Sequence, residues 1–177
     1  PYVKGLTPKI LNEKYEIYPT NEGIERRHAI LETDEAALSP LDHGGLYGDG
    51  CFEGILIKYN RIFLFREHLL RWLNSAKKLS LHFPYTIEDI AYYITKTARA
   101  VNFKYEEKGY LRPVLTRGFG NLGINPAKCL APTIYVICST IRLYPPEKYE
   151  EGIELSVARK TRRAGKSIVD PNIKSNN

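Results

Sequence analysis

The chain has 177 residues, of which 43% are hydrophobic and 26% charged, and its formal net charge is +6 at pH 7. This is the composition of a soluble globular protein that can bury a core, as one domain or as one domain and part of another. No apolar run has the length of a membrane span and no charged-then-apolar leader is recognisable, so we expect a cytoplasmic protein without a membrane partner. The three cysteines are widely spaced and odd in number, which argues against a disulfide framework and predicts no metal site.

After a weakly patterned start, the sequence predicts short strands and then a β-hairpin. Short strands are expected near residues 15–18 and 28–32. A β-hairpin is predicted over residues 51–65, where strand formers flank Asn60, a residue that tolerates the left-handed backbone of a tight turn.

Two amphipathic helices follow the hairpin, over residues 67–81 and 86–101, where apolar side chains recur at helical spacing. Thr86 is placed to cap the second helix, with Asp89 three residues on in a variant of the capping box.

The second half predicts two strands, then a boundary. Residues 110–116 and 133–140 are β-rich, and the second run is nearly continuous apolar sequence, which favours a central strand buried on both faces. Two prolines in residues 142–149 indicate a linker, and a new strand is expected over 152–160. We therefore predict an α/β (α+β) fold with a small N-terminal domain at 1–141, a linker at 142–149 and a second domain that begins at 150–177.

Two local patterns suggest other ligands. Gly118-Phe119-Gly120-Asn121-Leu122-Gly123 matches a dinucleotide-binding fingerprint, but Pro126 follows where a helix should open, so we expect a glycine-rich loop that can border a pocket. Residues 159–166 are basic, but no aromatic residues are interleaved with them. We favour a solvated or anion-facing segment over a nucleic-acid site.

Four segments carry most of the chemically useful side chains. They read Leu-Tyr-Gly-Asp-Gly-Cys-Phe-Glu-Gly at residues 46–54, Arg-Glu-His-Leu-Leu-Arg at 66–71, Tyr-Leu-Arg-Pro at 110–113 and Asn-Ile-Lys-Ser-Asn-Asn at 172–177. In this order they resemble the fold-type IV aminotransferases that use pyridoxal phosphate, and the branched-chain enzymes most closely.

The resemblance implies a two-domain fold, pyridoxal 5'-phosphate as cofactor, and a homodimer or higher homo-oligomer. It also implies a complete small N-terminal domain and only the start of the cofactor-binding domain, with the chain stopping just after the catalytic lysine. A chain of this extent is expected to be inactive alone.

The resemblance assigns the cofactor residues. Lys174 is the catalytic lysine that forms a Schiff base with the cofactor, Arg71 binds the cofactor phosphate, and Arg163 matches a basic position of the family. From the residues alone, the favoured interpretation of Arg71 is an exposed helix arginine that pairs with Glu67 four residues earlier.

The resemblance also assigns a substrate side. Tyr47, Phe52 and Gly54 match positions that line it. Tyr110 and Arg112 match a pattern that helps bind the substrate α-carboxylate.

Position 56 departs from the branched-chain pattern, because Leu56 stands where an arginine is usual. Phe52, Gly54, Leu56 and Lys58 alternate and so share one strand face. Lys58 could replace the missing charge for substrate binding, or it could point to solvent.

These features predict transamination between a branched-chain or related apolar L-amino acid and 2-oxoglutarate, so the partners are small amino and 2-oxo acids and not nucleic acid. A D-amino-acid aminotransferase or an aminodeoxychorismate lyase on the same fold is the alternative within the superfamily. A non-catalytic or nucleic-acid-binding protein is the alternative from another class.

Overall fold

Two short strands near the N-terminus form a separate antiparallel pair, β1 (Glu16–Pro19) with β2 (Glu25–His28). The computed structural model describes residues 16–19, 25–83, 85–162, 164–168 and 170–177, and only the backbone of these two strands. The strand expected near residues 15–18 is confirmed over 16–19, and residue 15 lies outside the described part. The second strand was expected too late in the chain, because its limits follow from pairing with β1 rather than from local strand propensity.

The main sheet is antiparallel and centred on one long strand. It comprises β3 (Gly50–Phe52), β4 (Ile55–Lys58), β5 (Arg61–Ile62), β6 (Gly109–Thr116) and β7 (Thr133–Thr140). On one edge of β6 lie β3 and β4, on the other lies β7, and β5 pairs with β4.

Strands β3 and β4 keep a single register along β6, with Phe52 opposite Val114 and Leu56 opposite Tyr110. The ladder is interrupted between them opposite Pro113, which has no N–H to donate. Side chains two residues apart therefore point to the same face across the interruption.

The predicted hairpin is confirmed as β4 and β5. The two residues between the strands, Tyr59 and Asn60, have φ angles of 52° and 56°. Positive φ at both central residues is what the tightest two-residue hairpin turns require, and asparagine tolerates it well.

Both predicted helices are confirmed, with shifted limits for the first. The structure contains α1 (His43–Tyr47), α2 (Phe65–Lys78), α3 (Ile87–Val101) and α4 (Glu147–Glu151). At the start of α3 the Thr86 hydroxyl accepts from the Asp89 N–H, and the Asp89 carboxylate accepts from the Thr86 N–H, so the capping box is present.

One face of the sheet, here called the helix face, packs against α2 and α3 to form the core. The fully buried members come from alternate strand positions and from the apolar stripes of both helices, and they include Cys51, Ile55, Leu111, Leu115, Trp72, Ile90 and Ile94. The indole N–H of Trp72 donates to the Cys51 carbonyl at 3.2 Å, which ties α2 to β3.

The opposite face, here called the open face, carries Phe52, Leu56, Tyr110, Arg112 and, on β7, Ile137. The exposed fraction is 37% for Leu56 and 45% for Ile137. The expectation that β7 is central and buried on both faces is therefore wrong. Within the described residues β7 pairs with β6 alone, and its apolar sequence leaves one side chain in two on the open face.

The structure also differs from expectation after β7. Helix α4 overlaps the second half of the predicted linker and extends past its end. Pro146 stands at the N-cap of this helix, where a missing N–H costs nothing. The strand expected over residues 152–160 is absent from the described structure, and Leu155 and Val157 are more than three-quarters exposed. Alternation alone cannot make a strand, since its backbone groups need a neighbour with which to pair.

The glycine-rich segment after β6 is a loop, as predicted. No α-helix opens in it; a single 3-10 turn, Pro126–Lys128, follows. In addition, none of the helices among the described residues is long and apolar enough to cross a membrane.

Candidate active site

Two cations lie over one aromatic ring on the open face. The Arg112 guanidinium carbon is 4.1 Å from the centre of the Phe52 ring, and the Lys174 Nζ is 4.8 Å from it. Both distances are within the range of a cation–π interaction. Three residues predicted from separate segments of the sequence therefore lie together. We call them the Phe52 group: Phe52, Arg112 and Lys174.

The last part of the described chain reaches this face by pairing with the free edge of β3. The Phe52 N–H donates to the Lys174 carbonyl at 3.0 Å, and the Asn176 N–H donates to the Gly50 carbonyl at 2.8 Å. Cys51 and Ser175 form an antiparallel bridge between these two bonds. The backbone of Lys174 is thus fixed to a strand of the sheet, and rigid support of this kind suits a catalytic side chain.

Tyr110 and Gly54 are also in contact on the open face. A Cβ at position 54 would lie only 2.7 Å from the Tyr110 hydroxyl, so the close approach requires glycine. Leu56 is directly opposite Tyr110. The surface next to the Phe52 group therefore combines a phenol with an apolar side chain.

Arg71 is close to the sheet, on α2, but its direct partner is a carboxylate. Its Nε donates to Glu53 Oε1 at 2.6 Å and its Nη2 donates to Glu53 Oε2 at 2.5 Å. His68 Nδ1 is 2.9 Å from Glu53 Oε2. The alternative pairing of Arg71 with Glu67 is wrong, because the fork faces the sheet. The Arg71 side chain remains 52% exposed, and Nη1 is the nitrogen left for an anion.

Glu53 is fully buried on the helix face, and its partners decide its charge. Burial opposes the carboxylate, but hydrogen bonds from Arg71 and His68, together with their charges, outweigh burial and lower the pKa of Glu53. The hydrogen bonds to Glu53 in turn raise the pKa of Arg71. The arrangement keeps Arg71 charged and holds its guanidinium in one orientation.

Two other predicted substrate residues contact partners of their own. Tyr47, on α1, accepts a hydrogen bond from the Gly123 N–H at 2.8 Å and packs edge-on against His43. Lys58 is on the open face, but its Nζ lies 4.7 Å from the centre of the Tyr59 ring. It is six residues from Phe52, roughly 20 Å along a strand. Their substrate-binding roles stay predictions, and so does the role of Arg163, which lies outside the described residues.

The sequence did not predict two residues that contact the predicted site residues, Glu53 and Ser75. Ser75 is fully buried on α2, and its Oγ accepts the Lys174 N–H at 3.3 Å. Each had a signal. Glu53 is a charged residue at an alternate position shared with Cys51 and Ile55, and charged groups are rarely buried without a partner. Ser75 is a polar residue that borders the buried apolar residues Trp72 and Ala76 of α2.

The three cysteines are free thiols, as expected. Burial raises the pKa of Cys51 to about 12 and that of Cys138 to about 11, and it also raises the pKa of Cys129. A thiol in this state is a poor nucleophile.

The side chains of Phe52, Arg112 and Lys174 are half-buried, and Leu56 beside them is exposed. A hollow of about 480 Å³ lies elsewhere, between Glu106 and Tyr149, and shares no residue with the Phe52 group. The open face offers a primary amine, a guanidinium group and a phenol beside apolar side chains, and Arg71, which contacts Glu53 on the helix face, offers a second guanidinium group. This set suits a ligand with a phosphate, a carboxylate and an electrophilic carbon.

Comparison with known proteins identifies the family of this chain. Residues 50–177 match the family model "Amino-transferase class IV". A Methanocaldococcus jannaschii protein with the name "Putative branched-chain-amino-acid aminotransferase" is 37% identical over 148 residues, which are 84% of this chain and 49% of that protein. A Staphylococcus aureus D-alanine aminotransferase is 32% identical over 89 residues, 50% of this chain and 30% of that protein.

Solved structures give the same result. The branched-chain aminotransferase of Thermoproteus uzoniensis, determined with norvaline, matches with a TM-score of 0.68 and 26% identity, over 92% of this chain and 51% of that one. An aminotransferase from Mycobacterium tuberculosis, in its PLP-bound form, matches with a TM-score of 0.53 and 27% identity, over 68% of this chain and 38% of that one.

The chain spans about half the length of the first relatives that it matches. The residues that match the family model include β3, α2 and Lys174, and the fold agrees with that of the fold-type IV enzymes. The chain belongs to the class IV aminotransferase family.

Proposed function

We propose that the protein is a pyridoxal-phosphate-dependent aminotransferase that uses a branched-chain or related apolar L-amino acid and 2-oxoglutarate. The observation that carries the proposal is the meeting of Lys174 and Arg112 over Phe52 on the open face. The relatives named as branched-chain aminotransferases support the reaction class. The apolar side chain of Leu56 beside Tyr110 supports an apolar substrate.

The residues present fit the cofactor in chemical type. Arg71 has a half-exposed guanidinium with Nη1 available for the phosphate, and Lys174 supplies the amine that attaches to the cofactor and then carries a proton at Nζ. Arg112 provides the cation for the substrate carboxylate, and Arg163 is proposed as a further cation for the cofactor. When bound, pyridoxal phosphate supplies the electron sink for charge that develops on the substrate carbon.

The same proposal covers the division of the chain. We infer that residues 1–141 form the small domain, 142–149 the linker and 150–177 the start of the cofactor domain. We propose a cytoplasmic homodimer or higher homo-oligomer as the assembly.

The test of the reaction is transamination of L-leucine with 2-oxoglutarate by the full-length protein and by two of its variants. Lys174→Ala should abolish transfer while the circular dichroism spectrum is kept, because Lys174 supplies the amine held at Phe52. Lys166→Ala removes an exposed lysine that lies shortly before Lys174 in the chain, and it is the matched control. Activity of Lys174→Ala close to that of the unmodified protein would refute the assignment.

A D-amino-acid aminotransferase is the second candidate, favoured by the relatives of that name. Measuring L-leucine against D-alanine as the amino donor separates the two. A larger kcat/KM for D-alanine would replace the branched-chain proposal while leaving the role of Lys174 intact.

The substrate role of Lys58 has its own test. Lys58 lies two positions beyond Leu56 on the open face, about 6.6 Å along the strand, where it could hold a distal carboxylate. Lys58→Ala should raise the KM for 2-oxoglutarate more than the KM for leucine. Equal effects on both would mean that Lys58 only contacts Tyr59 and solvent.

A further inference from the structure

Helix α2 carries a stripe of polar side chains, here called the α2 polar stripe: His68, Arg71, Ser75 and Lys78. Their spacing of three, four and three residues places them on one side of the helix. Going along the stripe, His68 and Arg71 contact Glu53, Ser75 contacts Lys174, and Lys78 contacts Asp170. The second half of the stripe, Ser75 and Lys78, therefore contacts the chain segment that contains Lys174.

The Lys174 segment, residues 170–176, is held by α2 at two points besides its bridge to β3. At its start, the Asp170 carboxylate accepts from Lys78 Nζ at 2.6 Å and from the Asn172 N–H at 3.0 Å. In its middle, the buried Ser75 Oγ accepts the Lys174 N–H at 3.3 Å. The first contact fixes the turn that precedes the lysine, and the second fixes the lysine itself.

The spacing along α2 relates this anchor to the phosphate ligand. Arg71 and Ser75 are four residues apart, about 6 Å along the helix axis at 1.5 Å per residue. Since Ser75 holds the Lys174 backbone, the helix sets the distance between the guanidinium and the lysine anchor. A rigid helix fixes such a distance better than a loop can.

We propose that Ser75 and the Lys78–Asp170 pair are positioning residues for Lys174, and that α2 holds the lysine at a set distance from Arg71. This rests on the proposed function, in which Lys174 attaches the cofactor. Ser75 acts through a partly buried hydrogen bond between neutral groups, whereas Lys78 and Asp170 form a surface ion pair that salt screens. The serine contribution is therefore independent of ionic strength and the ion-pair contribution is not.

The experiment compares Ser75→Ala, Lys78→Gln and Lys78→Arg, with Lys77→Gln as the matched control at an exposed neighbouring lysine. The first readout is amide hydrogen exchange of residues 172–176 without cofactor. The second is the rate at which borohydride fixes added pyridoxal phosphate on Lys174, followed by peptide mass spectrometry. The first readout does not depend on the cofactor assignment.

Ser75→Ala should speed exchange at the Lys174 amide roughly three- to tenfold and slow fixation at Lys174. Lys78→Gln should speed exchange at Asn172 about twofold at low salt, with little effect at high salt. Lys78→Arg should restore the original rates, and Lys77→Gln should match the unmodified protein.

The proposal is overturned if exchange in the segment is unchanged in both Ser75→Ala and Lys78→Gln. It is equally overturned if exchange rises while fixation on Lys174 keeps its original rate, since the contacts would then be structural only. If the unmodified protein takes no label at Lys174, the cofactor assignment fails instead, and the exchange rates alone decide whether the stripe holds the segment.

Discussion

Glu53 shows how one buried charge can set the geometry of a binding residue. Its carboxylate is fully buried, and a charge in that position is tolerated only because Arg71 binds it bidentately and His68 adds a third contact. The contact uses one edge of the Arg71 fork and leaves the other edge free. Glu53 thereby aims the arginine that we propose for the phosphate.

Arg71→Ala should weaken the affinity for pyridoxal phosphate roughly 10- to 150-fold, because a charge-assisted contact is worth about 1.5–3 kcal/mol. Titration with pyridoxal, which lacks the phosphate, is the control and should show little change. An equal loss for both ligands would mean that the substitution acts through the fold. Unchanged affinity for both would leave Arg71 as a structural partner of Glu53 only.

Glu53 also predicts how stability depends on pH. Its pKa is lower in the folded protein than the ordinary value of 4.5, so its contribution is complete above that pH and is lost as the pH falls through the folded pKa. Glu53→Gln should cost about 1.5 kcal/mol at pH 7, because the charge-assisted hydrogen bonds of Glu53 are lost while the remaining charge, on Arg71, is half-exposed. The free energy of unfolding of this variant should fall less steeply below pH 4.5 than that of the unmodified protein. Parallel curves for the two proteins would contradict the assignment.

At the scale of elements, local patterns predicted structure wherever the pattern and its partners lie close in the chain. The hairpin of β4 and β5 needs only a turn at Asn60, and α3 needs only its stripe and its cap. The burial of β7 could not be predicted, because it depends on whether a second neighbour covers the strand. The prediction of a strand over residues 152–160 was wrong for a similar reason, because a strand also depends on a neighbour with which its backbone can pair.

The cap of α3 gives a prediction at this scale. Thr86→Ala removes the hydroxyl that accepts the Asp89 N–H, and losses of this kind cost about 1 kcal/mol. The melting temperature should fall by about 2–4 °C for a protein of this size. Thr97→Ala deletes the same group inside the helix, where alanine is favoured, and should destabilise less. An equal fall in both variants would show that the cap contributes nothing particular.

At the scale of the whole molecule, the family segments identified the residues but not their contacts. Lys174, Phe52 and Arg112 were singled out in separate segments, and only the register of β3, β6 and the last residues brings them to one ring. The pairing of Arg71 with Glu53 and the support of Lys174 by Ser75 join residues 18 and 99 positions apart. Such long-range contacts leave no periodicity in the sequence, so only a charged or polar residue in an apolar stripe hints at them.

The central claim is that Lys174 is the amine that holds pyridoxal phosphate. The most direct measurement is to add the cofactor, reduce with borohydride, digest, and locate the pyridoxyl group by mass spectrometry. We expect one dominant modified residue, Lys174. In Arg71→Ala we expect the label on Lys174 to be lost when pyridoxal phosphate is added at a concentration that saturates only the unmodified protein. Label spread over the surface lysines, or concentrated on another lysine while Lys174 stays unmodified, would contradict it.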